Sequence, residues 1–134
     1  MADDPLVDDD FAMLAGFRFE LRRFLHFSEG AAREMGLTSQ QHQALLAICA
    51  SPGAEMLVGE LAERLFLRPH SATELINRLA RLDLVERLQD DDDRRKVRVR
   101  ISAHGKGMLG ALAAAHRAEL RRLRPLLRRL IRRL

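Results

Sequence analysis

The chain has 134 residues, 47% of them hydrophobic and 31% charged, which is enough for one folded domain with its own core. The longest apolar runs span only a few residues, so the sequence predicts no transmembrane helix. The first ten residues contain five aspartates and no lysine or arginine, the reverse of a secretory signal peptide, and we therefore expect a cytoplasmic protein.

The composition also disfavours several kinds of site. Cys49 is the single cysteine, so the chain can form neither an intrachain disulfide nor a thiolate zinc cluster. The five histidines lack the spacing of HExxH or another metal motif, and we expect no metal and no cofactor. Every aromatic residue is a phenylalanine, which disfavours single-strand binding by base stacking. The net charge of +4 permits nucleic-acid binding without requiring it.

The first predicted element is a helix from about Asp8 to Met35. Small or apolar residues recur there every three or four positions, at Leu14, Phe17, Leu21, Phe24, Ser28, Ala31 and Met35. Gly36 suits the left-handed residue that closes a helix. A second helix follows, since Thr38 and Gln41 have the spacing of a capping box, and it ends at residues 52–53.

The next two segments have the pattern of a helix-turn-helix. Residues 56–67 predict a short helix, with a one-pair strand at Leu57 before it. Residues 68–71 predict a compact turn in which Pro69 ends the earlier helix and Ser71 caps the next. In that next helix the inward positions are Ala72, Leu75, Ile76 and Leu79. A short helix, a tight turn and a second helix with a polar outer face are typical of DNA-binding helix-turn-helix units.

A β-hairpin is predicted directly after this unit. Apolar and basic residues alternate over 97–101, which indicates a half-buried strand, and residues 85–88 are its expected partner. The loop between them contains four consecutive aspartates followed at once by Arg94, Arg95 and Lys96. A hairpin in this position is a wing. The predicted fold class is therefore mainly α with a small β-wing.

A last helix is expected after Ser102, which can cap it. Its apolar seam comprises Leu109, Leu112, His116, Leu120, Leu123, Leu127, Leu130 and Leu134. Pro125 predicts a kink or the start of a separate short helix. Residues 117–134 hold eight arginines against a single glutamate, which is compatible with a membrane-surface helix but is expected here to be a solvated face.

The order of these elements resembles the MarR family of bacterial transcriptional regulators over essentially the whole chain. The matching segments are GLTSQQHQALLAI (36–48), VGELAERL (58–65), RPHSATELINRLARLDLVER (68–87) and DDDDRRKVRVRISAHGKGML (90–109). The resemblance implies a single MarR-like domain, with a winged helix-turn-helix lobe at 38–102 and dimerisation helices at 8–35 and 103–134. It also implies a homodimer on a two-fold symmetric DNA operator, with a small-molecule or redox signal that releases the DNA. The short segment after Pro125 departs from the family pattern and implies a smaller interface or greater reliance on the N-terminal helix.

By this resemblance the second helix of the unit would lie in the major groove. Asn77 can pair with adenine, and Glu74 can accept a hydrogen bond from cytosine. Glu74 can instead pair with Arg78 one turn later and hold it on a phosphate, which is the option we favour. The residues expected at or beside DNA are Arg68, His70, Ser71, Thr73, Glu74, Asn77, Arg78 and Arg81.

The aspartate run is explained if the tip of the wing enters the minor groove. The negative potential of a narrow minor groove favours an inserted arginine. An acidic neighbour is useful there only if it orients that arginine. The resemblance assigns this pair to Asp93 and Arg95, with Arg94 and Lys96 on phosphates. Residues 90–92 are expected to form a polar turn that faces solvent.

Three histidines, His26, His42 and His116, are candidates for a ligand pocket between the DNA-binding lobe and the dimerisation helices. The alternative for His116, a core histidine with satisfied hydrogen bonds, is favoured by its place on a leucine seam. Cys49 lies among Leu45, Leu46 and Ile48, and core packing is favoured over a redox role because no cation adjoins it in sequence.

The leading functional interpretation is a dimeric DNA-binding repressor that a small ligand regulates. The alternative is a winged-helix module that binds protein and not DNA, which the arginines of the wing and of the second helix disfavour. An enzyme is not expected, because the sequence contains no nucleophile–base pair, glycine-rich phosphate loop or metal cluster.

Overall fold

The computed structural model describes residues 5–133, and the fold class predicted from the sequence is confirmed. The helices are α1 (Asp8–Glu34), α2 (Ser39–Ala50), α3 (Val58–Arg64), α4 (Pro69–Arg81) and α5 (Ala103–Arg133). The strands are β1 (Glu55–Leu57), β2 (Val85–Gln89) and β3 (Val97–Ile101). Asp3, Asp4 and Leu134, which belong to the acidic cluster and the apolar seam of the sequence, lie outside the described residues. Within residues 5–133, no helix has the length and hydropathy needed to cross a membrane.

The ends of the first two helices are stabilised by capping residues, and α2 ends at Ala50, shortly before the predicted stop at residues 52–53. Asp10 accepts a hydrogen bond from the Val7 backbone N–H at 2.8 Å and so stabilises the start of α1. Gly36 has φ +79° and closes the helix, which glycine can do without steric cost. The capping box before α2 is confirmed: the Gln41 backbone N–H donates to Thr38 Oγ1 at 3.1 Å, and Thr38 N–H donates to Gln41 Oε1 at 3.0 Å.

The turn of the helix-turn-helix lies earlier than the sequence predicted. The chain turns at residues 65–67, where Phe66 has φ +55°, and α4 begins at Pro69 with Arg68 as its N-cap. The predicted turn at 68–71 with Ser71 as the cap was therefore wrong. A proline fits the first position of a helix because its φ is already helical and its missing N–H has no partner there. Ser71 thus lies within the first turn of α4, with its side chain exposed.

The three strands form an antiparallel sheet in the order β1-β3-β2. β2 and β3 make the wing hairpin, with Val85 opposite Ile101 and Gln89 opposite Val97. β1 is three residues long, longer than the single pair predicted at Leu57, and joins the other edge of β3. The wing is consequently continuous with the strand that leads directly into α3.

The core is formed mainly by α2, α3, α4 and the sheet, and the C-terminal end of α1 and the first half of α5 pack into it. Its most deeply buried large side chains are Leu45, Ile48, Leu61, Ile76, Leu79, Leu84, Val99 and Leu112. Cys49 is half-buried and packs against this core, as predicted. The N-terminal part of the α1 seam is different, since Leu14, Phe17 and Leu21 remain between 45% and 53% exposed.

α5 is a single helix that continues through Pro125. The separate short helix that the sequence allowed after Pro125 is therefore not formed. Proline removes the N–H that would have bonded the Arg121 carbonyl, and both residues are exposed, so solvent can satisfy that carbonyl.

The start of α5 is fixed against the start of β2. Ser102 caps the helix as predicted, accepting from the Gly105 backbone N–H at 3.0 Å, and its own hydroxyl donates to the Asp83 carbonyl at 2.6 Å. The Ser102 backbone N–H donates to the Leu84 carbonyl at 3.0 Å. A Cβ atom at Gly105 would overlap that same carbonyl oxygen and lie 3.0 Å from Ile101 Cγ1. The close approach of α5 to the sheet therefore requires glycine at position 105.

We predict that Gly105→Ala destabilises the fold by about 1–3 kcal/mol, because the overlap forces α5 away from β2. Gly107→Ala is the matched control in the same helix, since a Cβ there meets nothing within 4 Å. It should stabilise the protein by up to about 1 kcal/mol through helix propensity. Urea unfolding of both variants measures the difference. Equal effects of the two alanines would contradict the close contact.

Candidate nucleic-acid interface

The outer face of α4 is polar and largely exposed. Burial of Ala72, Leu75, Ile76 and Leu79 against the lobe turns the opposite side of the helix toward solvent. Of the candidate residues on or beside this face, Asn77 is half-buried. The others are exposed: Arg68, His70, Ser71, Thr73, Glu74, Arg78 and Arg81. The facing of α4 that the sequence predicted is confirmed, whereas DNA contact by each residue stays a prediction.

Glu74 pairs with the residue one turn before it. His70 Nε2 lies 3.2 Å from Glu74 Oε1 in an exposed contact. The favoured pairing of Glu74 with Arg78 was wrong, because positions one turn earlier and one turn later lie equally near on a helix and His70 takes the carboxylate. No ion pair of Arg78 is found among residues 5–133, so its guanidinium remains available.

Two polar side chains of α4 are already engaged within the protein. Thr73 Oγ1 donates to the Pro69 carbonyl at 3.0 Å, so its hydroxyl proton is already used within α4. Asn77 Oδ1 accepts from Arg87 Nη1 at 2.6 Å. The sequence interpretation missed Arg87. Its signal was available: a basic residue on the strand that follows α4 directly, at an exposed position.

The tip of the wing holds an arginine against an aspartate. Arg95 Nε and Nη2 lie 3.2 and 3.4 Å from the two carboxylate oxygens of Asp93, and the Arg95 backbone N–H donates to Asp93 Oδ1 at 3.0 Å. These hydrogen bonds hold the pKa of Asp93 below its ordinary value. The Arg95 side chain is 91% exposed. The pair that the sequence suggested is present, and it points an oriented guanidinium into solvent.

Asp90 has a structural position that the sequence interpretation did not foresee. It is buried, with Oδ1 accepting from Arg98 Nη1 at 3.2 Å and Oδ2 accepting from the Asp93 backbone N–H at 3.1 Å. The expectation that residues 90–92 all face solvent was therefore wrong for Asp90, although Asp91 and Asp92 are exposed. The reason is the register of the hairpin, which brings Arg98 beside Asp90 at the base of the loop.

The arginines of β3 are bound to acids of the sheet. Arg98 Nε donates to Glu55 Oε1 at 3.2 Å, and Arg100 Nε donates to Glu55 Oε2 at 3.1 Å. The contact with Asp90 raises the pKa of Arg98 above its ordinary value, with Glu55 adding to the effect. Acids at the base of the wing thus neutralise the strand arginines, while Arg94, Arg95 and Lys96 remain exposed at the tip.

Two of the three candidate pocket histidines meet between the lobe and the long helices. The rings of His42 on α2 and His116 on α5 lie 4.9 Å apart between centroids. His116 Nδ1 donates to the Leu112 carbonyl at 2.7 Å, which leaves Nε2 to accept from Ser28 Oγ at 2.7 Å. The rings of Phe24 and Phe27 pack edge-on against His116. His26 is exposed on α1 and does not join this cluster.

Comparisons with known proteins agree with this arrangement. Residues 35–96 match the model of the MarR family. The chain is 33% identical over 67 residues to the uncharacterized HTH-type transcriptional regulator YsmB of Bacillus subtilis (strain 168), a match that covers 50% of this chain and 46% of that relative. The matched region thus spans about half the length of the curated relative.

Solved structures share the fold. AbsC, a MarR family transcriptional regulator from Streptomyces coelicolor, superposes with a TM-score of 0.74 at 24% identity, covering 90% of this chain and 81% of that one. The F27L mutant of MepR from S. aureus, bound to an oligodeoxyribonucleotide, gives a TM-score of 0.68 at 18% identity, covering 80% and 78%. At these identities the likeness shows the winged-helix fold.

The buried His42 predicts that stability falls in acid. Burial, and then the neighbouring His116, lower the pKa of His42 below its ordinary value of 6.5. The unfolded chain therefore binds this proton more readily, so the stabilisation is complete above about pH 6.5 and is lost as the pH falls from there through the lower pKa of the folded state. His42→Gln should reduce the difference in unfolding free energy between pH 7.5 and pH 5.

The control for this measurement is His104→Gln, which changes an exposed histidine at the start of α5. It should keep the pH dependence of the parent. An unchanged pH dependence in His42→Gln would contradict the assignment to His42.

Proposed function

We propose that this chain is a member of the MarR family of transcriptional regulators, because residues 35–96 match the model of that family and the fold agrees. In this proposal it is a homodimeric repressor that binds a pseudo-palindromic DNA operator and is released by a small-molecule effector. The main support for the proposal comes from the wing tip, where Asp93 orients an exposed Arg95 beside the polar face of α4. MepR, a protein of the same fold, has been solved bound to an oligodeoxyribonucleotide, which supports duplex DNA as the partner.

The outer face of α4 would read the major groove. A recognition helix contacts base edges with the residues of its first turns, and here these are His70, Ser71, Thr73 and Glu74. The hydroxyl of Thr73 is used by its own helix, so its methyl group is suited to the methyl group of thymine. Arg68, Arg78 and Arg81 would contact phosphates and fix the position of the helix without reading sequence.

The wing would read the shape of the adjacent minor groove. A guanidinium gains most where the groove is narrow and its potential most negative, as in A·T-rich sequence. The contact with Asp93 reduces the number of conformations that Arg95 gives up on insertion. Arg94 and Lys96, exposed on either side of Arg95, would contact the flanking phosphates.

Dimerisation would cover the apolar surface of the two long helices. Large apolar side chains remain between 36% and 72% exposed on or next to α1 and α5, at Leu6, Val7, Phe11, Leu14, Phe17, Phe19, Leu21, Leu25, Leu120, Leu127 and Ile131. An apolar surface of this extent is typical of a protein–protein contact. Two-fold pairing would place the two recognition helices about 34 Å apart, one turn of DNA.

The effector would act where the lobe meets the long helices. His42 and His116 lie at this junction, so a ligand that separates their rings would change the angle between the recognition helix and the dimer. A ligand releases DNA only if it binds the non-binding conformation more tightly. His26 would lie outside this site.

We predict that Arg95→Ala weakens operator binding by roughly 1–3 kcal/mol and removes the preference for A·T pairs in the flanks of the site. Arg94→Ala should instead weaken binding to all duplexes uniformly and reduce the salt dependence, because it contacts phosphates. Fluorescence anisotropy on operator, flank-substituted and unrelated duplexes separates the two. Operator binding by Arg95→Ala at the level of the parent would sink the wing assignment.

Asp93→Ala should cause a smaller loss than Arg95→Ala, since it leaves Arg95 in place but no longer oriented. Asp91→Ala is the matched control, because Asp91 is an exposed aspartate of the same loop. It should leave the affinity unchanged or raise it slightly through the loss of a negative charge. An equal effect of the two substitutions would show that Asp93 contributes charge alone.

The full chain should be a dimer at micromolar concentration by light scattering. Replacement of Leu14 and Phe17 by serine should yield a folded monomer with weak operator binding, because these side chains are half exposed in the single chain. Truncation after Arg124 should have the same effect or produce a poorly soluble protein. Phe66→Ser is the control, since Phe66 is 96% exposed but lies on the lobe. A monodisperse monomer of the parent would exclude the dimer.

A further inference from the structure

A cleft separates α4 from the wing on the face that carries the candidate DNA contacts. Its volume is 450 Å³, and its floor is formed by apolar side chains and backbone of β1, α3 and α4. Its charged lining consists of Arg87 from β2, Arg95 and Lys96 from the loop, and Glu60 from α3. Three cations outnumber the carboxylates of Glu60 and of Asp93, which is bound to Arg95, so the cleft has a net positive charge and its chemistry suits an anion.

A residue of α4 holds the Arg87 side chain in this cleft. Its Nη1 donates to Asn77 Oδ1 at 2.6 Å, and the residue is otherwise exposed. A guanidinium carries five N–H donors, and this contact uses one of them. Among residues 5–133 the remaining donors have no hydrogen-bond partner, so they can bind an anion in a fixed orientation. The contact also joins α4 to β2, the strand that leads into the wing.

The position of Arg87 limits what the anion can be. A helix in the major groove and a hairpin tip in the neighbouring minor groove are separated by one sugar–phosphate strand. Arg87 is bound to Asn77 of α4 and lines the same cleft as Arg95 of the wing tip, so we expect it to face that strand when both elements are docked. The phosphates are the anions that occur there at fixed spacing, and arginine binds them with two parallel hydrogen bonds.

We propose that Arg87, oriented by Asn77, binds a backbone phosphate of the DNA strand that separates the two grooves. This inference rests on the proposed function and assigns two residues within it. Arg87 makes the phosphate contact, and Asn77 is a positioning residue rather than a reader of adenine. Because one guanidinium bridges α4, β2 and DNA, it sets the register of the recognition helix relative to the wing.

The test compares Arg87→Ala, Asn77→Ala and the double variant with the parent on the operator and on an unrelated duplex. Arg87→Ala should weaken binding to both duplexes by about tenfold and lower the slope of log K against log salt by about 1, the value for one phosphate. Asn77→Ala should cause a smaller loss. The double variant should bind no more weakly than Arg87→Ala, since Asn77 acts through Arg87.

Two further variants act as controls. Arg100→Ala removes another arginine of the sheet, one that is bound to Glu55, and should leave the salt slope at the value of the parent. Arg87→Lys should recover most of the salt slope but lose part of the affinity, because lysine keeps the charge without the forked geometry. Circular dichroism and thermal unfolding verify that each variant folds.

The outcomes separate this inference from the function on which it rests. A parental salt slope and affinity in Arg87→Ala, together with weakened binding in Arg95→Ala, would overturn the phosphate contact and leave DNA binding intact. Additive losses in the double variant would overturn the positioning role of Asn77. If inorganic phosphate bound the DNA-free parent through Arg87 while Arg87→Ala kept its duplex affinity, the cleft would be a small-anion site. A parent that binds no duplex would overturn the proposed function itself.

Discussion

The shape of the candidate nucleic-acid interface depends on the ion-pair network at the base of the wing. Arg98 lies between Glu55 on β1 and Asp90 at the end of β2, and its side chain is only 30% exposed. Exposed pairs contribute little to stability, but removal of one partner from a largely buried group leaves an uncompensated charge and costs more. Asp90 also accepts from the Asp93 backbone N–H, so the same carboxylate that neutralises Arg98 shapes the loop that presents Arg95.

This network divides the arginines of the hairpin into two groups. Those on β3 are neutralised by acids and serve the fold, whereas those at the tip and on β2 keep donors for a ligand. Recognition of DNA requires both contacts that position the protein and contacts that specify sequence. Under the proposed function, positioning would fall to arginines on three separate elements, and specificity would fall to the first turns of α4 and to the wing tip.

Local patterns predicted the parts of the fold that local chemistry decides. The capping residues Thr38 and Ser102, the alternation over 97–101 and the inward face of α4 all follow from spacing within a few residues. The errors arose where the choice depends on a partner distant in sequence or on two equal local options. Asp90 is buried because β3 returns Arg98 to it, and Arg87 was missed because its contact with Asn77 exists only after β2 folds back on α4. Glu74 had neighbours on both sides, and spacing alone cannot choose between them.

The tight contact at Gly105 couples the orientation of α5 to that of the lobe. With no side chain between its first turn and the Leu84 carbonyl, the helix has no soft layer there to absorb a tilt, and the backbone that it contacts leads back directly into α4. A helix of 31 residues is about 46 Å long. A tilt of about 5° about this fulcrum corresponds to a displacement of about 4 Å at the far end of α5. A small change in the angle between the lobe and α5 would therefore produce a large displacement of the far end of α5.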